Sequence, residues 1–167
     1  MSKNCKSGFT MLELMVVIII IGILSSLAYA GMNALIQTNK AKEVAREITS
    51  FVERAIAEGK MRQKPVIISL TNGNELKAVT DENPPVTIIT KTLANGFSAN
   101  SGVPDGCGND FHNSVTSENK IGISGVSGSG CFVACFGTTY CGSAVKSSDK
   151  NKFVAKVKRP STGWEAL

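Results

Sequence analysis

The 167-residue chain contains a single histidine, His112, and only 6% of its residues are aromatic. That histidine lies in a polar loop, where a histidine is far more often solvent-exposed than catalytic, and a single histidine cannot supply a two-histidine zinc site. The sequence also lacks a phosphate-binding P-loop and a nucleophile elbow. These absences predict a protein that is not an enzyme and that has no cofactor and no metal ion.

Cysteine is unevenly placed. Cys5 lies near the N-terminus, and the other four crowd the C-terminal third, at Cys107, Cys131, Cys135 and Cys141. No Cys-x-x-Cys pair is present, which disfavours a zinc site. If this part of the chain is exported, its compartment is oxidising and disulfides are expected. Four cysteines allow several pairings, and their spacing does not select one.

The longest apolar run follows a short basic segment. Lys3 and Lys6 precede it without an acidic residue, and every residue from Leu14 to Leu24 is apolar or glycine. A run of about 20 such residues spans a bilayer. The segment fits a transmembrane helix, a secretory signal peptide cleaved after Ala28-Tyr29-Ala30, or the leader and helix of a prepilin.

One carboxylate, that of Glu13, interrupts this apolar segment. An ionised carboxylate is costly in hydrocarbon, and such residues usually have a function. A signal peptide or a simple anchor has no use for it. Cleavage after Gly8 would free a positive α-amino group on Phe9, one helical turn from Glu13. The carboxylate can then pair with the amino terminus of a neighbouring subunit, so Glu13 favours the prepilin interpretation.

The stretch K-S-G-F-T-M-L-E-L-M-V-V-I-I-I-I-G-I-L resembles the type III prepilin signal of type IV pilins and type II secretion pseudopilins. The resemblance implies cleavage between Gly8 and Phe9 by a prepilin peptidase, N-methylation of Phe9 and a role for Glu13 in assembly. It implies, as partners, other pilin or pseudopilin subunits, an inner-membrane assembly platform and inner-membrane lipid. The protein is then expected to cross the bacterial inner membrane once before it enters a filament. The basic leader places the N-terminus in the cytoplasm and the head in the periplasm.

Beyond the membrane segment the pattern becomes amphipathic, with apolar residues at spacings of three and four. The apolar set is Leu35, Ala41, Val44, Ala45, Ile48, Val52, Ala55 and Ile56. Gly59 weakens this helix, and Pro65 ends it. The expected segments are a leader at 1–8, a transmembrane and filament-core helix at 9–30, an amphipathic helix at 31–62 and a β-rich globular head at 63–167.

The head is predicted to consist of strands. The longer ones are Pro65–Leu70, Glu75–Val79, Val86–Thr92, Cys131–Phe136, Tyr140–Val145 and Lys152–Lys158, the last of which closes the sheet; Ile121–Ile123 is a short strand. Thr71–Asn74 is a hairpin turn. Asn95–Asn119 is predicted to be a long loop and Gly125–Gly130 a flexible turn. The predicted fold is α+β and pilin-like, with the long N-terminal helix packed on a C-terminal antiparallel β-sheet head.

This order of elements resembles the GspH/FimT family of minor pilins and minor pseudopilins. The resemblance implies a structural subunit of a type II secretion pseudopilus or of a type IV pilus, and the shared signal leaves both machines open. In FimT-like members a basic C-terminal motif is linked to DNA binding. Here the basic residues are Lys156, Lys158 and Arg159, without that family's glycine-arginine pattern. The alternative function is therefore DNA binding or adhesion through this basic region.

Overall fold

The computed structural model describes residues 9–71, 73–120, 123–149 and 152–167. The described chain consists of helix α1, Met11–Arg62, followed by strands. The strands are β1 Val66–Leu70, β2 Glu75–Thr80, β3 Thr87–Thr92, β4 Phe97–Ala99, β5 Phe111–His112, β6 Ser114–Lys120, β7 Ile123–Val126, β8 Gly130–Phe136, β9 Tyr140–Lys146, β10 Phe153–Lys158 and β11 Trp164–Ala166. This is the α+β, pilin-like architecture that the sequence predicted.

The chain divides into two compact units, one ending at Ile36 and the other running from Gln37 to Leu167. Helix α1 is long and apolar enough in its N-terminal part to cross a membrane by length and composition. In that part Leu35 is exposed, at 65% of its full surface. The prediction that Leu35 begins the buried stripe was therefore wrong, and the stripe begins in the second unit.

The C-terminal end of α1 has a specific backbone structure. Gln63 adopts a left-handed conformation, with φ of 53°. Its N–H donates to the carbonyl of Lys60, and the N–H of Lys64 donates to the carbonyl of Gly59, both at 3.1 Å. This pair of bonds is a Schellman motif, which satisfies the last carbonyls of a helix. Gly59 itself stays within the helix, so Gln63 and not Gly59 marks the point where the chain turns.

The strands form two antiparallel sheets, apart from one short parallel pairing. The first has the order β3-β2-β1-β6-β7, and the second has the order β11-β10-β9-β8-β4, with β5 pairing in parallel to β8. Strand β1 lies at the centre of the first sheet, with Ile68 opposite Ala78 on one side and Val115 on the other. In the second sheet β9 lies between β8 and β10.

One hydrophobic core joins the second half of α1 to both sheets. The helix contributes Ala41, Val44, Ile48, Phe51, Val52 and Ala55, all buried. These side chains share a cluster with Ile68 of the first sheet and with Phe132 of the second. The helix and the second sheet approach closely at Gly142 of β9, where a Cβ atom would lie 2.5 Å from the carbonyl oxygen of Ala41. The amphipathic stripe therefore holds the two sheets on one helix.

The outer face of the second sheet is covered as well. Cys131, Val133, Cys135, Cys141 and Val145 form a second buried cluster, and Cys107 and Trp164 pack against it. Because both faces are covered, β8 is buried along six of its seven residues, from Gly130 to Cys135. This explains why the sequence of β8 is a continuous apolar run without alternation.

Three predictions about the head were wrong: the length of one loop, the length of one turn and the identity of the last strand. The expected loop Asn95–Asn119 contains β4, β5 and most of β6, a strand whose inward positions are Val115 and the buried Ser117. Gly125 and Val126 belong to strand β7, and Gly130 begins β8, so only the residues between them form the turn. Strand β11 follows β10 and is the last strand. The expected strand Ile121–Ile123 lies partly outside the described residues.

Candidate processing and assembly site

The N-terminus of α1 is closed by its own side chains. The carbonyl of Thr10 accepts the first helical hydrogen bond, from the N–H of Leu14 at 3.3 Å. The hydroxyl of Thr10 accepts a bond from the N–H of Glu13, and the carboxylate of Glu13 accepts bonds from the N–H and the hydroxyl of Thr10, each at 3.3 Å. The sequence Thr-x-x-Glu in this arrangement is a capping box. Glu13 therefore has a local structural task in addition to its expected role in assembly.

The predicted processing residues lie at the start of this segment. Gly8 lies outside the described residues. Phe9 immediately precedes the capping threonine, and its side chain is 82% exposed. Phe9 and Glu13 thus lie at the same helix end, about one helical turn apart, and the pairing of Glu13 with the amino terminus of a neighbouring subunit stays a prediction. The positive end of the helix dipole at this position also favours a carboxylate there.

The apolar part of α1 exposes a continuous hydrophobic surface. Among the side chains that the structure describes here, the large apolar ones from Met11 to Ile36 are exposed, and Ile18, Ile19 and Ile23 each keep more than half of their surface. Two serine hydroxyls within this part are satisfied by the helix backbone. The hydroxyl of Ser25 donates to the carbonyl of Ile21, and that of Ser26 to the carbonyl of Ile23, both at 2.7 Å. Such internal bonds let a helix carry serine in a non-aqueous environment.

The four cysteines of the head form two disulfides. Cys107 is bonded to Cys131, with a sequence separation of 24, and Cys135 to Cys141, with a separation of 6. Cys135 and Cys141 are also directly opposite each other in the β8–β9 pairing. The pairing that the sequence left open is therefore one long-range bond and one bond across a hairpin. The long-range bond attaches the loop before β5 to the outer face of the second sheet.

The basic residues near the C-terminus are largely engaged within the head. The ammonium group of Lys156 donates to the backbone carbonyl of Asp105. The guanidinium of Arg159 forms an ion pair with the carboxylate of Glu165. Lys158 lies opposite Trp164 in the β10–β11 pairing. Lys156 and Lys158 therefore lie on β10 and Arg159 directly follows it, but Lys156 and Arg159 are bonded to partners on neighbouring segments.

One polar cluster was not predicted from the sequence. The carboxylate of Asp110 accepts a bond from the N–H of Ser129 at 2.6 Å and from its hydroxyl at 3.0 Å. These bonds, the backbone one first, lower the pKa of Asp110, with a smaller contribution from the charge of Lys146 and against a small opposing effect of burial. Lys146 is itself buried, and its ammonium group donates to the carbonyl of Gly128. The cluster fixes the turn between β7 and β8. It joins Asp110 to Ser129, which are 19 residues apart, so no local sequence pattern could have predicted it.

The lone histidine has no catalytic partners in the described chain. His112 lies on the short strand β5 and is largely exposed. The neighbouring atoms still remove some water from its ring, and this desolvation lowers its pKa. No group of three or more His, Cys, Asp or Glu side chains suited to a metal ion occurs among the described residues.

Comparison with known proteins adds evidence on the N-terminus. Residues 3–29 match the family model described as the prokaryotic N-terminal methylation motif. No curated protein and no solved structure showed significant similarity to the chain. The motif implies processing by prepilin peptidase and assembly with other pilins, and its family is structural rather than enzymatic. Together with the apolar helix that fits membrane anchoring, the motif indicates a type IV pilin-like protein or pseudopilin.

Proposed function

We propose that the protein is a minor pilin or minor pseudopilin of the GspH/FimT type, a structural subunit of a type IV pilus or a type II secretion pseudopilus. The observation that carries this proposal is the methylation motif on the same helix that supplies the core of the β-rich head. One helix thus joins an exposed apolar segment to a folded head. A subunit of this design can pass from a membrane into a filament without refolding its head.

In the proposed pathway the leader is removed between Gly8 and Phe9, and Phe9 is methylated. The head occupies the periplasm, and the apolar part of α1 crosses the inner membrane once. The exposed side chains of that part then pack against the helices of neighbouring subunits, and the inner-membrane assembly platform is the expected site of this step. Gly22 lies in this part and has open space beyond its own helix, so a neighbouring helix could approach its backbone closely.

Glu13 has two possible tasks at this helix end, and one substitution separates them. Glutamine at the third helical position also completes a capping box, whereas it removes the charge. Glu13→Gln should therefore keep the helix start and lose the ion pair with a neighbouring amino terminus. Thr10→Ala is the matched variant that weakens the cap and keeps the charge.

The proposal is tested first by the mature N-terminus. The protein is expressed with a prepilin peptidase, purified from membranes, and analysed by intact mass and N-terminal sequencing. The expected product begins at methylated Phe9. A product that begins at Gly31 would mean that Ala28-Tyr29-Ala30 is a signal-peptidase site, and the filament proposal would then be wrong.

Assembly is tested next, by the amount of each variant in sheared filaments from its own host. Glu13→Gln and Glu13→Ala should insert and be processed but should not enter the filament, whereas Thr10→Ala should enter it. Normal incorporation of Glu13→Gln would show that the charge has no role in assembly.

DNA binding or adhesion through Lys156, Lys158 and Arg159 is the alternative function. Lys158 favours it, since no ion pair or hydrogen bond of its side chain occurs in the described chain. The contacts of Lys156 with the carbonyl of Asp105 and of Arg159 with Glu165 weigh against it. Gel-shift titration of the full chain in detergent, with all three cations changed to glutamine, decides between the two functions. DNA binding that weakens steeply with salt and is lost in the triple variant would support the alternative.

A further inference from the structure

A groove of about 410 Å³ lies between α1 and the edge strand β3. Arg46, Ser50 and Arg54 line it from the helix at successive helical turns, and Lys91 lines it from the strand. Phe51 and Ile89 provide apolar lining at the base. The groove lies wholly within the second compact unit, so its geometry does not depend on the membrane segment.

The charges in this groove are unbalanced. Glu47 is the acidic residue in its lining, and it forms an ion pair with Lys91 at 2.9 Å. Within the described chain Arg46 and Arg54 have no ion-pair or hydrogen-bond partner. They are eight residues apart on one helix face, which separates them by about 12 Å along the helix axis. The groove therefore presents two open guanidinium groups that can each take a carboxylate or phosphate in a bidentate manner.

The wall opposite the helix is an open sheet edge. Strand β3 pairs with β2 on one side, and in the described chain its other side has no strand neighbour. All six residues of β3 are at least partly exposed. An edge of this kind offers a row of backbone N–H and C=O groups to an added strand.

We propose that the groove binds an extended acidic segment of a partner protein, which adds as a strand to β3. An extended chain covers about 12 Å in about four residues, and residues four apart in a strand point to the same face. A segment with two carboxylates at that spacing can therefore reach both arginines while its backbone pairs with β3. This inference goes beyond the proposed function, because it assigns a partner site on the head that is independent of processing and of Glu13.

The lining favours a peptide over a nucleic acid. Single-stranded nucleic acid is bound largely through stacking on exposed aromatic rings. Phe51 is the aromatic residue of the groove lining, and only 6% of its surface is exposed, so its ring offers no stacking platform. The carboxylate of Glu47 in the lining would also repel a continuous phosphate backbone. A peptide needs neither stacking nor charge at every position.

The test uses the full chain in neutral detergent micelles and the peptide Glu-Thr-Val-Thr-Glu-amide, labelled with fluorescein on its amino terminus, in fluorescence anisotropy titrations. Binding is expected for this peptide and not for the version with glutamine at both ends. Arg46→Gln and Arg54→Gln should each weaken binding by about three- to tenfold, the range between an exposed ion pair and a charge-assisted bidentate bond. Arg62→Gln, on the same helix but outside the groove, is the matched control and should bind normally.

Two further probes complete the design. A peptide with an N-methylated central valine cannot donate its backbone N–H, and it should bind more weakly than the parent. Oligothymidylate of matched charge tests the nucleic-acid outcome. Equal binding of the glutamine peptide, no effect of either arginine variant, no effect of N-methylation, or tighter binding of oligothymidylate would each overturn the proposal. Thermal unfolding of every variant confirms that the head is folded, since both arginines are exposed and their removal leaves no buried gap.

Discussion

Removal of the Cys107–Cys131 disulfide should destabilise the head more than removal of Cys135–Cys141. In the chain-entropy model a disulfide restricts the unfolded chain according to the logarithm of the loop that it closes. The sequence separations are 24 and 6. The model then gives about 3.5 kcal/mol for the first bond and about 2.2 kcal/mol for the second at 25 °C. The expected difference between the two bonds is therefore about 1.3 kcal/mol.

Each pair is changed to alanine, because a serine at the buried positions 131, 135 and 141 would add an unsatisfied hydroxyl. Unfolding by urea is followed in detergent through the fluorescence of Trp164, the one tryptophan of the chain, which packs against this cysteine cluster. For a head of this size the two changes correspond to losses in melting temperature of roughly 13 °C and 8 °C. Each variant loses two sulfur atoms, so each serves as the packing control for the other.

Equal losses for the two pairs, or a larger loss for Cys135–Cys141, would refute the loop-entropy argument. The stabilisation would then come from native packing in the cluster around Val133 and not from restriction of the unfolded chain.

Three more predictions concern single residues of the head. Gln63→Gly should raise the free energy of unfolding by about 0.5–1 kcal/mol, because glycine adopts the left-handed conformation without strain, and urea titration measures this gain. Gly142→Ala should lower it by about 1–3 kcal/mol, since the new methyl group would press on the carbonyl of Ala41, whereas Gly163→Ala, with open space around it, should not. Because the pKa of Asp110 is lowered in the folded protein, its carboxylate stabilises the fold at a pH above the ordinary aspartate pKa of about 3.9. This stabilisation is lost as the pH falls through the lower pKa of the folded state. Acid unfolding of Asp110→Asn should therefore depend less steeply on pH below about pH 4.

Each of these predictions has a result that contradicts it. A loss of stability in Gln63→Gly would mean that the glutamine side chain makes a contact that outweighs its backbone strain. Equal free energies of unfolding for Gly142→Ala and Gly163→Ala would show that the helix and β9 can move apart to accept the new methyl group without loss of stability. If stability below about pH 4 depends on pH as steeply in Asp110→Asn as in the parent protein, Ser129 binds a neutral side chain equally well.

The features that the sequence predicted are those with a strong local signal. The end of α1 at Arg62, the apolar segment and most strands of the head follow from hydrophobic periodicity and from Pro65. The buried helix stripe was predicted from Ala41 onward for the same reason. The motif around Glu13 was predicted because a carboxylate in an apolar run has few explanations.

The features that were missed depend on contacts distant in sequence. Strand β6 has a polar sequence, and its central inward position, Ser117, is only 4% exposed. The hydroxyl of Ser117 accepts the N–H of Val66, at 3.2 Å, and this bond replaces the apolar contact that a strand pattern would have shown. The groove lined by Arg46 and Lys91 combines residues from a helix and an edge strand. No local pattern could have brought them together.

The capping box has a consequence for the order of events during maturation. The residues that define where α1 begins are Thr10 and Glu13, and both lie after the proposed cleavage point. Proteolysis at that point would therefore alter the net charge and expose an amine, but it would leave the start signal of the helix in place. With cleavage at the proposed point, the helix would begin at the same residues before and after maturation, and the peptidase would permit assembly without changing the start of the helix.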